Sequence, residues 1–230
     1  MNTNPHASRR VTVTLAGLAA IVSTIVVLTV SGTHESHAGS DHAHGAATPQ
    51  TSKQLALHDG MRSLWEQHVA WTRMAIVSFA GDLPDLKDTT ARLLRNQTHI
   101  GNAIKPYYGK AAGNELTRLL KEHISGAVDL LVAAKADDKA KLATAQTAWY
   151  ANGREVSDFL SAANPDNWPR AVVRSMMKKH LDQTLKEAVH QLTGKYAAGI
   201  REYDAIERHM IKMADTLSSG IVKQFPARFR

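Results

Sequence analysis

The chain has 230 residues, contains no cysteine and carries a formal net charge of +7 at pH 7. The absence of cysteine excludes disulfides, thiolate metal sites and covalent haem attachment. The basic residues are interleaved with acidic ones along the predicted helices, without a basic run or an aromatic platform, so we expect no nucleic-acid partner.

The first thirty residues have the pattern of an export segment. Arg9 and Arg10 in residues 1–10 precede an uncharged apolar stretch, residues 11–30. Twenty helical residues span about 30 Å, the thickness of a hydrocarbon core, and preceding arginines favour a cytoplasmic N-terminus. We predict a single-pass signal-anchor helix with the rest of the chain outside the cytoplasm. The alternative is cleavage near Ala38, which would secrete the domain.

A linker follows the apolar segment. Residues 31–54 are rich in Gly, Ser, Ala and His and show no apolar period, which is typical of a flexible spacer. Four of these residues are closely spaced histidines: His34, His37, His42 and His44. Imidazoles bind Cu(II), Zn(II) and Ni(II), so this tract is either a metal-capturing segment or a plain polar spacer. On the outer side of a membrane, the basic residues would either meet anionic lipid head groups or envelope polymers, or simply keep the domain soluble.

Residues 55–230 show helical periodicity throughout and no sustained two-residue alternation, so we predict an all-α domain. Turn and capping residues divide this region into about six helices: 55–80, 84–104, 114–135, 139–163, 169–192 and 196–219. A Lys105-Pro106 step is predicted to end the second of them. Short connections make successive helices antiparallel neighbours, which predicts an up-and-down bundle.

Three histidines fall on or beside the apolar stripes of these helices: His68, His123 and His180. A buried imidazole requires a hydrogen-bonding partner, so a polar centre in the core is expected. The helical phase places Glu187 and Glu207 on inner faces and His209 toward solvent. The polar residues expected to support this centre are Gln97, Thr72, Thr184 and Asn152.

Two interpretations of this centre stay open. His68, His123, His180 and Glu187 would suit Zn, Cu(II) or Fe as metal ligands. A di-iron carboxylate site is disfavoured, because the Glu-x-x-His spacing that it needs twice occurs once, at Glu187 and His190. Two facing histidines could also hold a non-covalent haem, but no residue of the sequence distinguishes such a site. The other interpretation is a hydrogen-bonded network that fixes helix register.

No nucleophile elbow, phosphate-binding loop or zinc-protease helix motif is present, so we assign no catalytic residues. We therefore expect a non-enzymatic, membrane-anchored helical domain on the outer side of the membrane. A metal-dependent oxidoreductase and a purely structural or interaction domain of the cell envelope are the alternatives.

Several long phrases carry a family resemblance, among them LWEQHVAWTRMAIVSFAGDLPDL, RLLRNQTHIGNAIKPYYGKAAGNELTRLLKEHI, FLSAANPDNW and the closing GIVKQFP. Over about residues 55–230 the chain resembles a family of small exported bacterial all-helical proteins. The resemblance implies a helical domain behind an N-terminal export segment and implies no particular chemistry. The glycosyltransferase label of some relatives finds no support, because such enzymes need a sugar-nucleotide site on an α/β scaffold.

Overall fold

The computed structural model describes residues 51–230, and within this range the fold is all-helical without strands. Five α-helices and one short 3₁₀ helix follow one another: α1 Ser52–Ala80, α2 Leu86–Lys135, α3 Lys139–Ala163, α4 Arg170–Leu192, α5 Tyr196–Gln224 and the 3₁₀ helix Pro226–Phe229. This architecture confirms the predicted all-α bundle.

The predicted apolar span at residues 11–30 and the histidines of residues 34–44 lie outside the described residues. Between residues 51 and 230, no helix combines the length and the apolar character that crossing a membrane requires.

Helix α2 contains both the second and the third predicted helix. They meet at Gly109, where the helix is interrupted and the chain turns back on itself. Gly109 has φ 85° and ψ 171°, a conformation that side chains with a Cβ rarely adopt. The two halves of α2 touch where Gly101 meets Gly113, since a Cβ on Gly101 would lie 2.4 Å from the Gly113 carbonyl oxygen. The predicted stop at Pro106 is wrong. The helix loses one hydrogen bond there and continues to the turn.

Helix α1 begins three residues earlier than predicted because of a capping box. The Gln54 amide donates to Thr51 Oγ1 at 3.3 Å, and the Thr51 amide donates to Gln54 Oε1 at 2.9 Å. This reciprocal pair follows the Thr-x-x-Gln spacing, so the sequence did contain the signal. The Thr51 hydroxyl also donates to the Phe229 carbonyl at 2.7 Å, which ties the start of α1 to the end of the chain.

Successive helices pack against each other, and α5 closes the bundle by packing against α1. The enclosed core is built from large apolar side chains contributed by every helix: Met61, Trp65, Ile100, Leu120, Trp149, Leu181, Met210 and Ile221. Helices α1 and α4 also meet across the interior. Side chains from α1, the second half of α2 and α4 can therefore converge at the centre.

The predicted phase of α5 was wrong at its beginning. Ile200 is 52% exposed and Glu207 is exposed, whereas Glu202 and His209 are buried. His209 Nε2 lies 2.9 Å from the Met176 carbonyl oxygen, so His209 has a partner in α4 instead of solvent. The reason is that α5 buries one continuous stripe, whose spacing extends back to Glu202: Ile206, Met210, Met213, Leu217 and Ile221.

Candidate functional site

Three imidazole rings meet in the middle of the bundle. The ring centroids of His68 and His180 are 5.6 Å apart, and those of His123 and His180 are 6.0 Å apart. Each of these histidines is at most 4% exposed, so the predicted burial is confirmed. They come from α1, the second half of α2 and α4, and His180 contacts both of the others. We refer to His68, His123 and His180 as the histidine cluster.

The environment of His68 determines where its proton resides. Gln97 Nε2 donates to the Leu93 carbonyl at 2.9 Å, which orients the Gln97 amide, and the same nitrogen lies 3.2 Å from His68 Nδ1. An amide nitrogen only donates, so His68 Nδ1 accepts in this contact. It shares the two Gln97 hydrogens with the Leu93 carbonyl and with Asn96 Oδ1, which lies 3.2 Å from Gln97 Nε2. Neutral His68 therefore carries its hydrogen on Nε2.

His123 has the opposite arrangement. Asn152 Nδ2 donates to the Leu119 carbonyl at 3.1 Å, which turns Asn152 Oδ1 toward His123 Nδ1 at 3.0 Å. Because that oxygen only accepts, His123 donates from Nδ1 and keeps a lone pair on Nε2. The Trp149 ring stacks on the imidazole at 5.2 Å, and its Nε1 donates to the His123 carbonyl at 3.1 Å.

His180 is held more loosely than its two neighbours. Its Nδ1 lies 3.4 Å from the Thr184 hydroxyl, which can donate or accept. Either tautomer of His180 is therefore compatible with this contact. Across residues 51–230, the Nε2 atoms of the cluster make no hydrogen bond to another side chain or to the backbone, so the Nδ1 contacts determine how the rings are oriented.

Burial keeps the whole cluster neutral. Desolvation, together with repulsion from His123, lowers the pKa of His68 to about 3. Desolvation lowers the pKa of His123 to about 4, although the Asn152 hydrogen bond opposes this shift. The pKa of His180 falls well below its usual value, first through burial and then through its two histidine neighbours. At neutral pH the cluster consists of three uncharged imidazoles.

Glu187 lies farther along α4 than His180 and is engaged by Arg73. It follows His180 by seven residues, roughly 10 Å along α4. Its Oε1 accepts from Arg73 Nη1 at 2.6 Å, and its side chain is 2% exposed. Burial nevertheless raises the pKa of Glu187, against the opposing effect of Arg73. No group of three or more His, Cys, Asp or Glu within residues 51–230 could hold a metal ion.

Several polar atoms around the cluster have no protein partner. Trp65 Nε1, Gln97 Oε1 and Thr72 Oγ1 are buried without a hydrogen bond. Thr72 and Thr184 also line an otherwise apolar cavity of about 50 Å³ beside the histidines.

Sequence reasoning identified Gln97 and Asn152 as partners of the cluster but missed the Arg73–Glu187 ion pair. The two residues of this pair are separated by 114 positions, so no local pattern connects them. No family model, curated protein or solved structure matches the chain.

Proposed function

We propose that this chain is a non-enzymatic helical-bundle protein of the cell envelope, anchored in the membrane by residues 11–30. The bundle, residues 51–230, works outside the cytoplasm. The arginines before the apolar segment and the helical fold after it support this proposal. In the bundle, the histidine cluster serves as an internal polar framework.

The observation that carries the non-enzymatic proposal is the commitment of His68 and His123 to structure. Each Nδ1 is held by an amide side chain, Gln97 or Asn152, that is itself oriented by a backbone carbonyl. Buried polar contacts of this kind, which hold Nδ1 of His68 and of His123, help to specify the register of the helices that they join. A general acid or base would need access to a substrate and a pKa near the working pH. The cluster has neither property, because it is enclosed and its pKa values are strongly lowered.

Transition-metal binding is the second candidate, favoured by the closeness of His123 and His180. Two imidazoles that bind one ion through nitrogens at about 2.0–2.1 Å have ring centres roughly 5 Å apart, close to the 6.0 Å between these rings. His123 already presents a lone pair at Nε2. His68 is a poor ligand, because binding a metal through Nε2 would require a hydrogen on Nδ1. That hydrogen would face the amide nitrogen of Gln97, which is itself a donor. Zn, Cu or Fe would suit the imidazoles, and the oxidoreductase alternative depends on this site.

Metal analysis of the full purified chain decides between the two candidates. After exposure to Zn, Cu or Fe salts and removal of free metal, we expect no stoichiometric ion in the bundle and no change in unfolding on chelation. One equivalent of metal that is lost in His123→Gln would contradict the structural role. A matched variant distinguishes metal bound by the linker from metal bound by the bundle. It replaces four linker histidines with Ser: His34, His37, His42 and His44. Metal that is lost only in that variant belongs to the linker.

A further inference from the structure

The bundle has one end at which its first residues and its last residues meet. Four segments lie there: residues 51–54, 105–112, 163–170 and 223–230. Hydrogen bonds link them. The Tyr108 hydroxyl donates to Gln224 Oε1 at 2.6 Å, Gln224 Nε2 donates to the Ala163 carbonyl at 3.0 Å, and Thr51 reaches Phe229. We call these four segments the proximal end, because the predicted linker enters the bundle here. The distal end comprises residues 80–88, 135–139 and 192–196.

The proximal end is strongly basic. Its cationic side chains are Lys53, Lys105, Lys110, Arg170, Lys223, Arg228 and Arg230. Within the same four segments the acidic side chain is Asp166. The distal end has the opposite balance, with five aspartates against four lysines: Asp82, Asp85, Asp88, Asp137 and Asp138 against Lys87, Lys135, Lys139 and Lys195. The described domain is therefore polarised along its long axis.

Three of these seven cations are exposed and unpaired within the described residues. Lys110, Lys223 and Arg228 are exposed, and no acidic side chain within residues 51–230 forms an ion pair with them. Lys53 donates to the Arg230 carbonyl at 2.8 Å, and Arg170 pairs with Asp158. Lys110, Lys223 and Arg228 are therefore the cations that this end offers to a partner.

Aromatic side chains accompany the basic ones at the proximal end. The rings of Tyr107 and Phe225 are half-buried, with centroids 6.0 Å apart, and Tyr107 stacks on Phe229 at 5.6 Å. Tyrosine is a residue that favours the membrane–water interface, where an apolar ring and a polar hydroxyl are both accommodated. Basic and aromatic residues on one surface match the chemistry of a lipid head-group layer.

We propose that the proximal end docks on anionic lipid head groups of the membrane that holds the chain. This inference rests on the proposed membrane anchorage. Twenty residues, 31–50, separate the proposed anchor from the bundle, and twenty residues span at most about 70 Å. The bundle is thus held at high effective concentration over the bilayer. Each Lys or Arg near an anionic surface strengthens the contact about fivefold.

A distance measurement on the full chain in lipid vesicles tests this orientation. Because the chain has no cysteine, Ala227→Cys and Ala136→Cys each give one labelling position, at the proximal and the distal end. Both residues are exposed. With a head-group quencher in phosphatidylglycerol–phosphatidylcholine vesicles, we expect the label at 227 to be quenched several-fold more than the label at 136. The difference should shrink at about 1 M salt, where the Debye length is about 3 Å, and in phosphatidylcholine alone.

Charge reversal provides the matched control. A proximal triple variant replaces Lys110, Lys223 and Arg228 with Glu, and a distal triple variant replaces Lys87, Lys139 and Lys195 with Glu. All six residues are exposed, and both variants change the net charge equally. The proximal variant should lose the lipid-dependent quenching at position 227, and the distal variant should retain it. Equal quenching in both lipid compositions, or equal loss in both variants, would overturn the docking proposal.

Two further outcomes separate this inference from the anchor and from a different anionic partner. Release of the chain from vesicles by alkaline carbonate would contradict the membrane anchor alone. Docking would then be measured as salt-sensitive co-sedimentation of the same chain with anionic vesicles. Binding of the proximal end to a soluble acidic polysaccharide, without binding to anionic vesicles, would overturn lipid docking in favour of an envelope polymer.

Discussion

His68 accepts a hydrogen bond at Nδ1 while His123 donates one from Nδ1, although both rings contact the same neighbour, His180. The two residues therefore have opposite tautomers in one buried cluster. His68 presents an Nε2 hydrogen and His123 presents an Nε2 lone pair. The difference arises from the amide partners, Gln97 and Asn152, which are oriented by backbone carbonyl oxygens.

Acid should destabilise the bundle through the histidine cluster. The folded-state pKa values of His68 and His123, about 3 and about 4, are below the ordinary value of 6.5. Between about pH 6.5 and about pH 4, the unfolded state therefore binds more protons than the folded state. The free energy of unfolding is highest above about pH 6.5 and falls as the pH drops toward 4. Each histidine contributes a slope of up to about 1.4 kcal/mol per pH unit. Glu187 acts in the opposite sense, because its pKa is raised.

Urea unfolding of the chain measures this slope. The pH series runs from about 7.5 to about 4.5, which spans the ordinary titration range of histidine. His123→Gln should reduce the slope by about one histidine's share. Asn102→Ala, which changes an exposed side chain that does not titrate, should leave the slope unchanged. A wild-type slope that survives in the His123 variant would show that other groups cause the acid sensitivity.

Asn152→Ala should destabilise the bundle and alter the tautomer of His123. The substitution removes the acceptor of the His123 Nδ1 hydrogen and the donor to the Leu119 carbonyl. Leaving a buried polar group unpaired costs about 1–3 kcal/mol. Chemical denaturation measures this cost, and nitrogen-15 NMR of the imidazoles reports the tautomer. Asn102→Ala is the control, since Asn102 is exposed on α2 and a surface change should stay within about 0.5 kcal/mol.

Removing Arg73 should cost more than removing an exposed arginine. Arg73→Met leaves the carboxylate of Glu187, which is 2% exposed, without its 2.6 Å partner. We expect a loss of about 2–4 kcal/mol in the free energy of unfolding, below the upper range for enclosed pairs because Arg73 is one-fifth exposed. Adding Glu187→Leu to this variant should recover much of the loss.

Arg62→Met is the matched comparison for that variant. Arg62 pairs with Asp215 at 2.6 Å, but the two side chains are 48% and 35% exposed. Because water screens the charges of an exposed pair, the loss for Arg62→Met should be much smaller than the loss for Arg73→Met. Similar losses for Arg62→Met and Arg73→Met would indicate that burial of Glu187 does not control the energetics of its ion pair.

Gly101→Ala should destabilise the hairpin of α2. The new Cβ would lie 2.4 Å from the Gly113 carbonyl oxygen, a backbone atom that cannot move away without separating the two halves. Overpacking of this kind costs about 1–3 kcal/mol. Gly60→Ala in α1 is the control, because no atom lies within 4 Å of its added Cβ. There the helix propensity of alanine should stabilise the protein by about 0.5–1 kcal/mol. Thermal unfolding of both variants gives the comparison.

The sequence was most informative where the physics is local. Apolar periodicity placed His68 and His123 on inner faces, and both are buried, because each helix position follows from a rotation of about 100° per residue. The same reasoning failed on α5, where Ile200 and Glu207 were assigned inward. In that helix, two possible apolar stripes differ by one residue in position. Packing against α1 and α4 determines which of them is buried.

Local sequence determined the helical class, most helix boundaries and the presence of three histidines in the core, since these depend on propensity, capping and periodicity. The tertiary structure decided that the three imidazoles share one height in the bundle and that Glu187 pairs with Arg73. It also decided which imidazole nitrogen carries the proton and that one end of the bundle is basic. Each of these features joins residues far apart in the chain. Their relative positions depend on loop geometry and interhelical packing, which no single helix encodes.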